Sequence, residues 1–257
     1  MFLDPTWRIL TIGDGDLSFS LALSRKGHPG HIEASTYDSA EVLISKYADN
    51  ELSTLRERGI RVHTGIDITD SASVSQIRNQ FDLIIFQFPL IESAHASGFP
   101  ELDSNLLNRR LLRYFLLHSL ETLLCKNGPQ LCYITSKDVF PYKDWNIEQS
   151  INDGVDLPYL GSMKFETGDF PGYRIRNVKR DSLVLDTQAI TYAWGKSPPA
   201  ELVERLSPVP HSGSDYCSIC RAGPFVGRED REKHFTSRGH GKKQAREEQW
   251  RAMVSEL

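Results

Sequence analysis

The sequence predicts a doubly wound, mostly parallel α/β sheet with a small zinc-finger-like module appended at its C-terminal end. Three observations carry that reading. Short apolar runs alternate with helical patterns through the first 150 residues, the order that builds a parallel sheet flanked by helices. A glycine-containing turn, Gly13-Asp14-Gly15-Asp16-Leu17-Ser18-Phe19-Ser20, joins the first apolar run to the first helix. The run Phe81–Phe88 is apolar at nearly every position, as a strand covered on both faces must be. A chain of 257 residues holds one such domain and a small second unit.

The first strand is Ile9–Ile12, and the helix after the turn runs over Leu17–Leu23. His31–Tyr37 reads as the second strand, ending at Asp38. A single long helix is expected over about residues 40–58, stopped by Gly59. Ile60–Thr64 follows as a third strand leading to Asp67, and Phe81–Phe88 as a fourth, ended by Pro89. Asp103 or Ser104 caps a helix with apolar positions Leu107, Leu111, Leu112, Phe115, Leu116 and Leu120, running to Leu124 and closing before Gly128. Leu131–Thr135 is the fifth strand. Leu160–Phe165, Ser182–Leu185 and Ile190–Trp194 read as closing strands with an antiparallel edge. The Pro- and Ser-rich stretch 198–214 reads as a linker, dividing a sheet domain (1–197) from the C-terminal module (215–257).

Charge is unevenly distributed. Residues 217–257 hold nine Lys/Arg and six Asp/Glu, against 21 and 28 in the rest, so an acidic body carries a basic tail suited to an anionic partner. No apolar stretch approaches the roughly 18 residues needed to span a bilayer. The N-terminal residues lack the basic region and apolar core of a secretory signal. The expectation is a cytoplasmic or nuclear/nucleolar protein, not a secreted one. Cys125 and Cys132 sit among apolar residues and read as core thiols.

A strand–glycine–helix turn brings main chain close to a nucleotide-like cofactor. Here Ser18 replaces the third glycine of the dinucleotide fingerprint, and Asp14 and Asp16 would repel a pyrophosphate over the turn. A phosphate-free, cationic cofactor suits Gly13, Asp14, Gly15, Asp16, Leu17 and Ser18 better, and S-adenosylmethionine is such a molecule. Ligands of doubly wound sheets bind beyond the carboxyl ends of the strands. Asp38, with Ser39 beside it, is placed for ribose hydroxyls. Asp67 is placed to accept from an adenine amino group while Ile68 packs on the ring. Gln87 and Phe88 end the fourth strand, where the reactive end of the cofactor would lie.

Cys217-x2-Cys220-x13-His234-x5-His240 has the spacing of a tetrahedral zinc site, two thiolates from a turn and two imidazoles from a helix. Phe225 and Phe235 supply a small core. The five-residue gap between the histidines exceeds one helical turn, so a kink is expected near Gly239. The charged helix from Lys242 to Met253 is expected to pack little. The long gap and the Gly241-Lys242-Lys243-Gln244 that follows resemble matrin-type fingers, a resemblance that implies an RNA partner.

The chain also resembles the large-subunit ribosomal RNA (uridine-N3)-methyltransferase-like domain. The matching motifs are Gly13–Ser20, Phe86-Gln87-Phe88-Pro89, Asn108-Arg109, Pro141-Tyr142-Lys143-Asp144-Trp145-Asn146-Ile147 and Pro171-Gly172-Tyr173-Arg174-Ile175-Arg176, in order across about residues 7–180. The resemblance implies a Rossmann-like fold, an S-adenosylmethionine cofactor and an RNA base as substrate. It departs at the fourth strand end, where the family reads Asn-Phe-Pro-His and this chain has Gln87-Phe88-Pro89-Leu90. These two departures motivate an alternative, a non-catalytic RNA-binding protein that keeps the methyltransferase fold.

Uracil N3 carries a proton at neutral pH, so methylation needs a base in reach or donors on the flanking carbonyls. The expected catalytic residues are Gln87, Lys137, Asp138 and Tyr142, with His95 as a possible replacement for the family's histidine. RNA contacts are expected from Asn108, Arg109, Trp145, Tyr173, Arg174 and Arg176, aided by Arg110, Arg113, Lys179 and Arg180, since aromatic and guanidinium groups suit single-stranded bases and phosphates.

Overall fold

The computed structural model describes residues 1–26, 31–78, 80–91, 99–177, 182–183 and 188–256. Seven strands form one sheet: β1 (Ile9–Ile12), β2 (Ile32–Ser35), β3 (Arg61–His63), β4 (Leu83–Gln87), β5 (Leu131–Lys137), β6 (Tyr159–Phe165) and β7 (Ala189–Gly195). Their order is β3-β2-β1-β4-β5-β7-β6. The pairs among β1 to β5 are parallel, whereas β7 runs antiparallel to both β5 and β6. The expected antiparallel edge is therefore present. Strand order reverses between β1 and β4, so the switch point lies where Gly13 and Gln87 leave the sheet.

Alternation of side chains sends apolar residues into two cores. On one face, Leu10, Ile12, Ile84, Phe86, Cys132 and Ile134 pack under Leu112, Phe115 and Leu116. On the other, Ile9, Leu83, Ile85, Leu131 and Tyr133 pack under Phe19, Leu23, Leu43 and Leu55. Cys132 is a core thiol as expected, while Cys125 is half-buried outside either core.

The helices are α1 (Ser18–Ser24), α2 (Ala40–Lys46), α3 (Leu52–Glu57), α4 (Ser71–Val74), α5 (Ser104–His118), α6 (Ile147–Ser150), α7 (Ala200–Val203), α8 (Gly227–Phe235) and α9 (Arg238–Ser255). The single helix expected over 40–58 is two. Tyr47 leaves helical geometry and buries its ring, Asn50 bonds back to the Tyr47 carbonyl, and Glu51 N–H donates to Asp16 O. Asp103 caps α5 by accepting from Leu106 N–H at 2.8 Å, and α5 continues as a π-helical turn over Ser119–Leu123. Of the expected closing strand Ser182–Leu185, only Ser182 and Leu183 lie within the described residues, Leu183 bridging Arg176.

The stretch 198–214 is not featureless. It carries α7, buries Leu202, and exchanges two backbone bonds between Ser207 and Ser162 on β6, at 2.9 and 2.7 Å. A Cβ on Gly161 would lie 2.6 Å from the Ser207 carbonyl oxygen, so only glycine allows this close approach. The C-terminal helix differs more from expectation. Trp250 of α9 is fully buried in the core beneath α5, with Met253 and Val254 packed against it. No helix among the described residues is long and apolar enough to cross a membrane.

Candidate functional site

At the switch point the β1 turn is held by its own acids. Gly13 takes φ 63°, and a Cβ there would meet the Phe86 ring at 2.7 Å. Leu17 enters α1 with φ 66°, a strained value for a residue with a side chain. Asp14 Oδ2 accepts from the Ser20 N–H (2.7 Å) and hydroxyl (2.6 Å), and Ser20 meets the Thr11 hydroxyl at 2.7 Å. Burial, then the neighbouring Asp16 charge, pushes the Asp14 carboxyl up to about 7.

A pH dependence follows. The folded chain holds the Asp14 proton until about pH 7, whereas an ordinary carboxyl releases it near 3.8. The associated stabilisation is complete below the lower value and is lost as pH rises through the upper one. Asp14→Asn keeps an acceptor for Ser20 and removes the ionisation. It is expected to flatten the decline in stability between about pH 4 and 7, an effect of about 2–4 kcal/mol, read from urea unfolding at each pH. An unchanged slope would place the proton elsewhere.

Asp16 is engaged by partners within the chain. Its Oδ1 accepts from Ser18 N–H, and its Oδ2 accepts from Arg174 Nε at 3.0 Å and Arg176 Nε at 2.6 Å. Arg174 also reaches Glu51 at 3.0 Å, and Arg176 bonds Asp49. The two arginines expected to hold RNA strap residues 171–177 across the glycine turn, and Arg176 also lines a cleft at the ends of β4 and β5. Tyr173 packs edge-on to Phe19 and stacks on Phe88. Three acids separated in sequence converge on these guanidiniums, which the local pattern around either arginine does not reveal.

Asp38 lies beyond β2 and pairs with Lys46 at 3.1 Å, while Ser39 caps α2 by accepting from Val42 N–H. Asp67 turns Oδ1 onto the Thr69 N–H and hydroxyl. Ile68 is 3% exposed in the core, and its carbonyl contacts His118 Nδ1, so its side chain offers no open face to an adenine ring. Gln87 ends β4, in register with Thr135, on the face shared by Leu83, Ile85 and α1. It is buried, and among the described residues neither its Nε2 nor its Oε1 has a hydrogen-bond partner. Phe88 follows with φ 47°. Strained backbone at both strand ends and an orphaned buried amide mark the switch point as a place that awaits a polar ligand.

This arrangement suits S-adenosylmethionine. A close-approach glycine turn after β1, a carboxylate beyond β2 and, among the described residues, an unpartnered amide at the end of β4 lie at the carboxyl ends of three strands of one sheet.

Beside the switch point a cleft of about 380 Å³ opens at the ends of β4 and β5. Phe88, Pro89 and Leu90 form one wall; Ser136, Lys137, Pro141, Tyr142 and Trp145 form the other. Its volume is that of a small-ligand site. The Ser136 hydroxyl is buried without a partner among the described residues. Asp138, the residue after Lys137, does not itself line the cleft and lies 3.3 Å from Lys143 Nζ. Asn108 lines the cleft but is occupied: its Oδ1 accepts from Ile91 N–H at 2.8 Å and its Nδ2 donates to Ser104 O at 2.7 Å, fixing the 89–91 loop.

The arginines of α5 do not face the rim. Arg109 is fully buried and pairs with Glu247 of α9 at 2.6 Å, so it cannot reach RNA. Arg113 donates to Asp153 O at 2.6 Å, and Arg110 stacks on Phe99 and Tyr114. His95, Lys179 and Arg180 lie outside the described residues.

The four zinc-ligand candidates converge. Their ligand atoms all lie within 4.8 Å of one another. His240 Nδ1 is 3.6 Å from Cys217 Sγ and 3.5 Å from Cys220 Sγ. Zinc–sulfur and zinc–nitrogen bonds of about 2.3 and 2.0 Å give tetrahedral S···N edges of about 3.5 Å. His234 Nε2 is buried with no partner among the described residues, a lone pair left for a metal. The residues present therefore fit Zn²⁺. Phe225 packs on His234 and Phe235, and Phe235 on His240, completing the small core. The helix breaks at Thr236–Ser237 rather than near Gly239, because the Ser237 hydroxyl caps α9 by accepting from His240 N–H.

Sequence reasoning missed Ser136, Glu148, Arg221, Glu247 and Trp250. Only the last left a signal: Trp250, Met253 and Val254 recur at i, i+3 and i+4 in an otherwise charged helix.

A family model described as BMT5-like, rRNA (uridine-N3-)-methyltransferase BTM5-like, matches residues 10–177. Among curated proteins, the chain is similar to uncharacterized protein At4g26485 of Arabidopsis thaliana, 33% identical over 174 residues, which are 65% of this chain and 80% of that one. It is also 34% identical over 173 residues to heavy metal-associated isoprenylated plant protein 41 of the same plant, spanning 65% of this chain but 32% of the relative. Among solved structures, TrmN from Thermus thermophilus aligns with TM-score 0.44 and 13% identity, covering 75% of this chain and 44% of that one. The fibrillarin/Nop5p complex aligns with TM-score 0.43 and 15% identity, covering 76% and 74%. The family match ends before the cysteine–histidine cluster.

Proposed function

The chain belongs to the BMT5-like rRNA (uridine-N3-)-methyltransferase family, and from that premise we propose that it methylates N3 of a uridine in ribosomal RNA. The observation that carries the proposal is the buried, unpaired amide of Gln87 at the switch point, next to a cleft of about 380 Å³. A uracil imide edge presents acceptor, donor and acceptor in a row. A primary amide can donate to one of the flanking carbonyl oxygens and leave N3 itself open to the methyl group. Gln87 would thus hold the base edge, and Tyr142 and Trp145 would hold the ring in the cleft.

S-adenosylmethionine, when bound, supplies a methyl group on a cationic sulfur. The remaining work falls to the protein: bringing N3 into line, excluding water and taking the N3 proton. Asp138 or Tyr142 would accept that proton, and the Lys137 ammonium would stabilise charge building on a flanking carbonyl. Gly13, Gly15 and Asp38 would hold the cofactor, Asp38 by accepting from the ribose hydroxyls. Zinc at Cys217, Cys220, His234 and His240 would order the C-terminal module. The expected partner is RNA.

The test is nucleoside analysis of ribosomal RNA incubated with the chain and S-adenosylmethionine, beside calorimetry of cofactor binding. N3-methyluridine in the product supports the reading. Asp38→Ala is expected to weaken cofactor binding by about 1–3 kcal/mol through loss of charge-assisted hydrogen bonds. Absence of cofactor binding at millimolar concentration rejects the enzyme reading, and RNA binding alone would then favour the non-catalytic alternative raised by Gln87 and Leu90.

A further inference from the structure

The zinc-ligand cluster is bound to the cleft wall from two directions. In the Cys217–Ala222 turn, Arg221 takes a left-handed backbone (φ 53°) and sends its guanidinium inward. Its Nε lies 3.3 Å from Glu148 Oε1 and its Nη1 4.0 Å from Asp138 Oδ1. The Glu148 side chain is only 1% exposed, and the other carboxylate oxygen has no partner among the described residues. From α9, one turn after the ligand His240, Lys243 Nζ lies 2.7 Å from Asp144 Oδ1 and over the Phe140 ring. Asp144 belongs to the Tyr142–Trp145 turn that walls the cleft, and its carbonyl accepts from Asn105 Nδ2 at 2.6 Å.

We infer that the zinc module is a fixed wall of the methyltransferase domain rather than a tethered finger. Arg221 and Lys243 are positioning residues through which metal occupancy sets the place of Asp138, Glu148 and the Tyr142–Trp145 turn. A module with so small an apolar core does not hold its shape without its metal. Once the ligands part, the left-handed Arg221 is held only by the backbone bonds of the Cys217–Ala222 turn among the described residues, too little to fix its guanidinium. Glu148 is then left buried without its counter-charge, a state that drives the wall to open. The two sides of the wall respond together because Arg221 and Lys243 reach it from opposite ends of the same four-ligand cluster. The inference stands whether or not uridine is the substrate.

Hydrogen exchange of the full chain tests it, comparing the zinc-loaded protein with the same protein after chelation. Exchange in residues 138–151 is expected to rise about tenfold or more on chelation, with β1 and α1 unchanged. In zinc-loaded protein, Arg221→Ala is expected to keep one zinc per chain and still expose 138–151, and Arg221→Lys to restore most of the protection. Restoration by lysine separates a charge that positions the wall from a side chain that merely fills space. Should chelation loosen the whole chain, the zinc-loaded Arg221 pair decides. A chain that takes up no zinc, a wall that stays protected after chelation, or alanine and lysine variants that behave alike would each overturn the inference.

Discussion

Replacing Trp250 by alanine is expected to destabilise the whole chain by about 3–5 kcal/mol, the cost of emptying a large core site. The residue lies near the C-terminal end of a charged helix, where a loosely attached tail would tolerate the change within about 0.5 kcal/mol. Yet its side chain is fully buried, its Nε1 donates to Ser150 O at 3.0 Å, and the Arg109 guanidinium sits 4.5 Å from the ring. Urea unfolding followed by far-ultraviolet dichroism gives the answer. A single cooperative transition displaced to lower urea is the expected result. A midpoint that does not move would mean that α9 contributes nothing to the sheet domain.

The second large effect concerns the buried pair beside it. Glu247→Ala is expected to cost about 3–5 kcal/mol, because it leaves the Arg109 charge in a dry site. Among the described residues, Arg109 Nη2 then retains only the Ser150 hydroxyl as a partner. Burial already lowers the Arg109 pKa from its ordinary value, a sign of how poorly the site solvates a lone cation. The double variant Arg109→Met/Glu247→Leu removes both charges at similar volume and is expected to recover most of the loss. Equal destabilisation in the single and double variants would assign the effect to packing. Trp250 and Glu247 both touch Arg109, so their individual effects are not expected to add.

These residues show where local sequence stops being informative. The strand–turn–helix at Gly13, the Asp103 cap and the cysteine–histidine spacing are legible because each depends on neighbours a few residues away. Arg109 sits in a helix and reads as an RNA contact, but its partner lies 138 positions later. Arg174 and Arg176 read as an RNA surface because Asp16, Asp49 and Glu51 are remote in sequence and adjacent only in the fold. The break between α2 and α3 carries no glycine or proline. It is set by the burial of Tyr47 and by a bond from Glu51 to the glycine turn, both tertiary. At the candidate site, Gln87 was visible as a strand-end amide, but its lack of partners belongs to the three-dimensional arrangement alone.

The two bonds between Ser162 and Ser207 also bear on how the protein behaves in a crowded solution. β6 is the outermost strand of its side of the sheet. An open margin of that kind offers unpaired amides and carbonyls to any passing extended chain, including a second copy. The segment leaving α7 occupies part of that margin, and Gly161 lets it lie close. The approach to the cysteine–histidine cluster thus doubles as a guard against strand-to-strand aggregation. A fragment trimmed at residue 197 would lose that guard together with the four candidate zinc ligands.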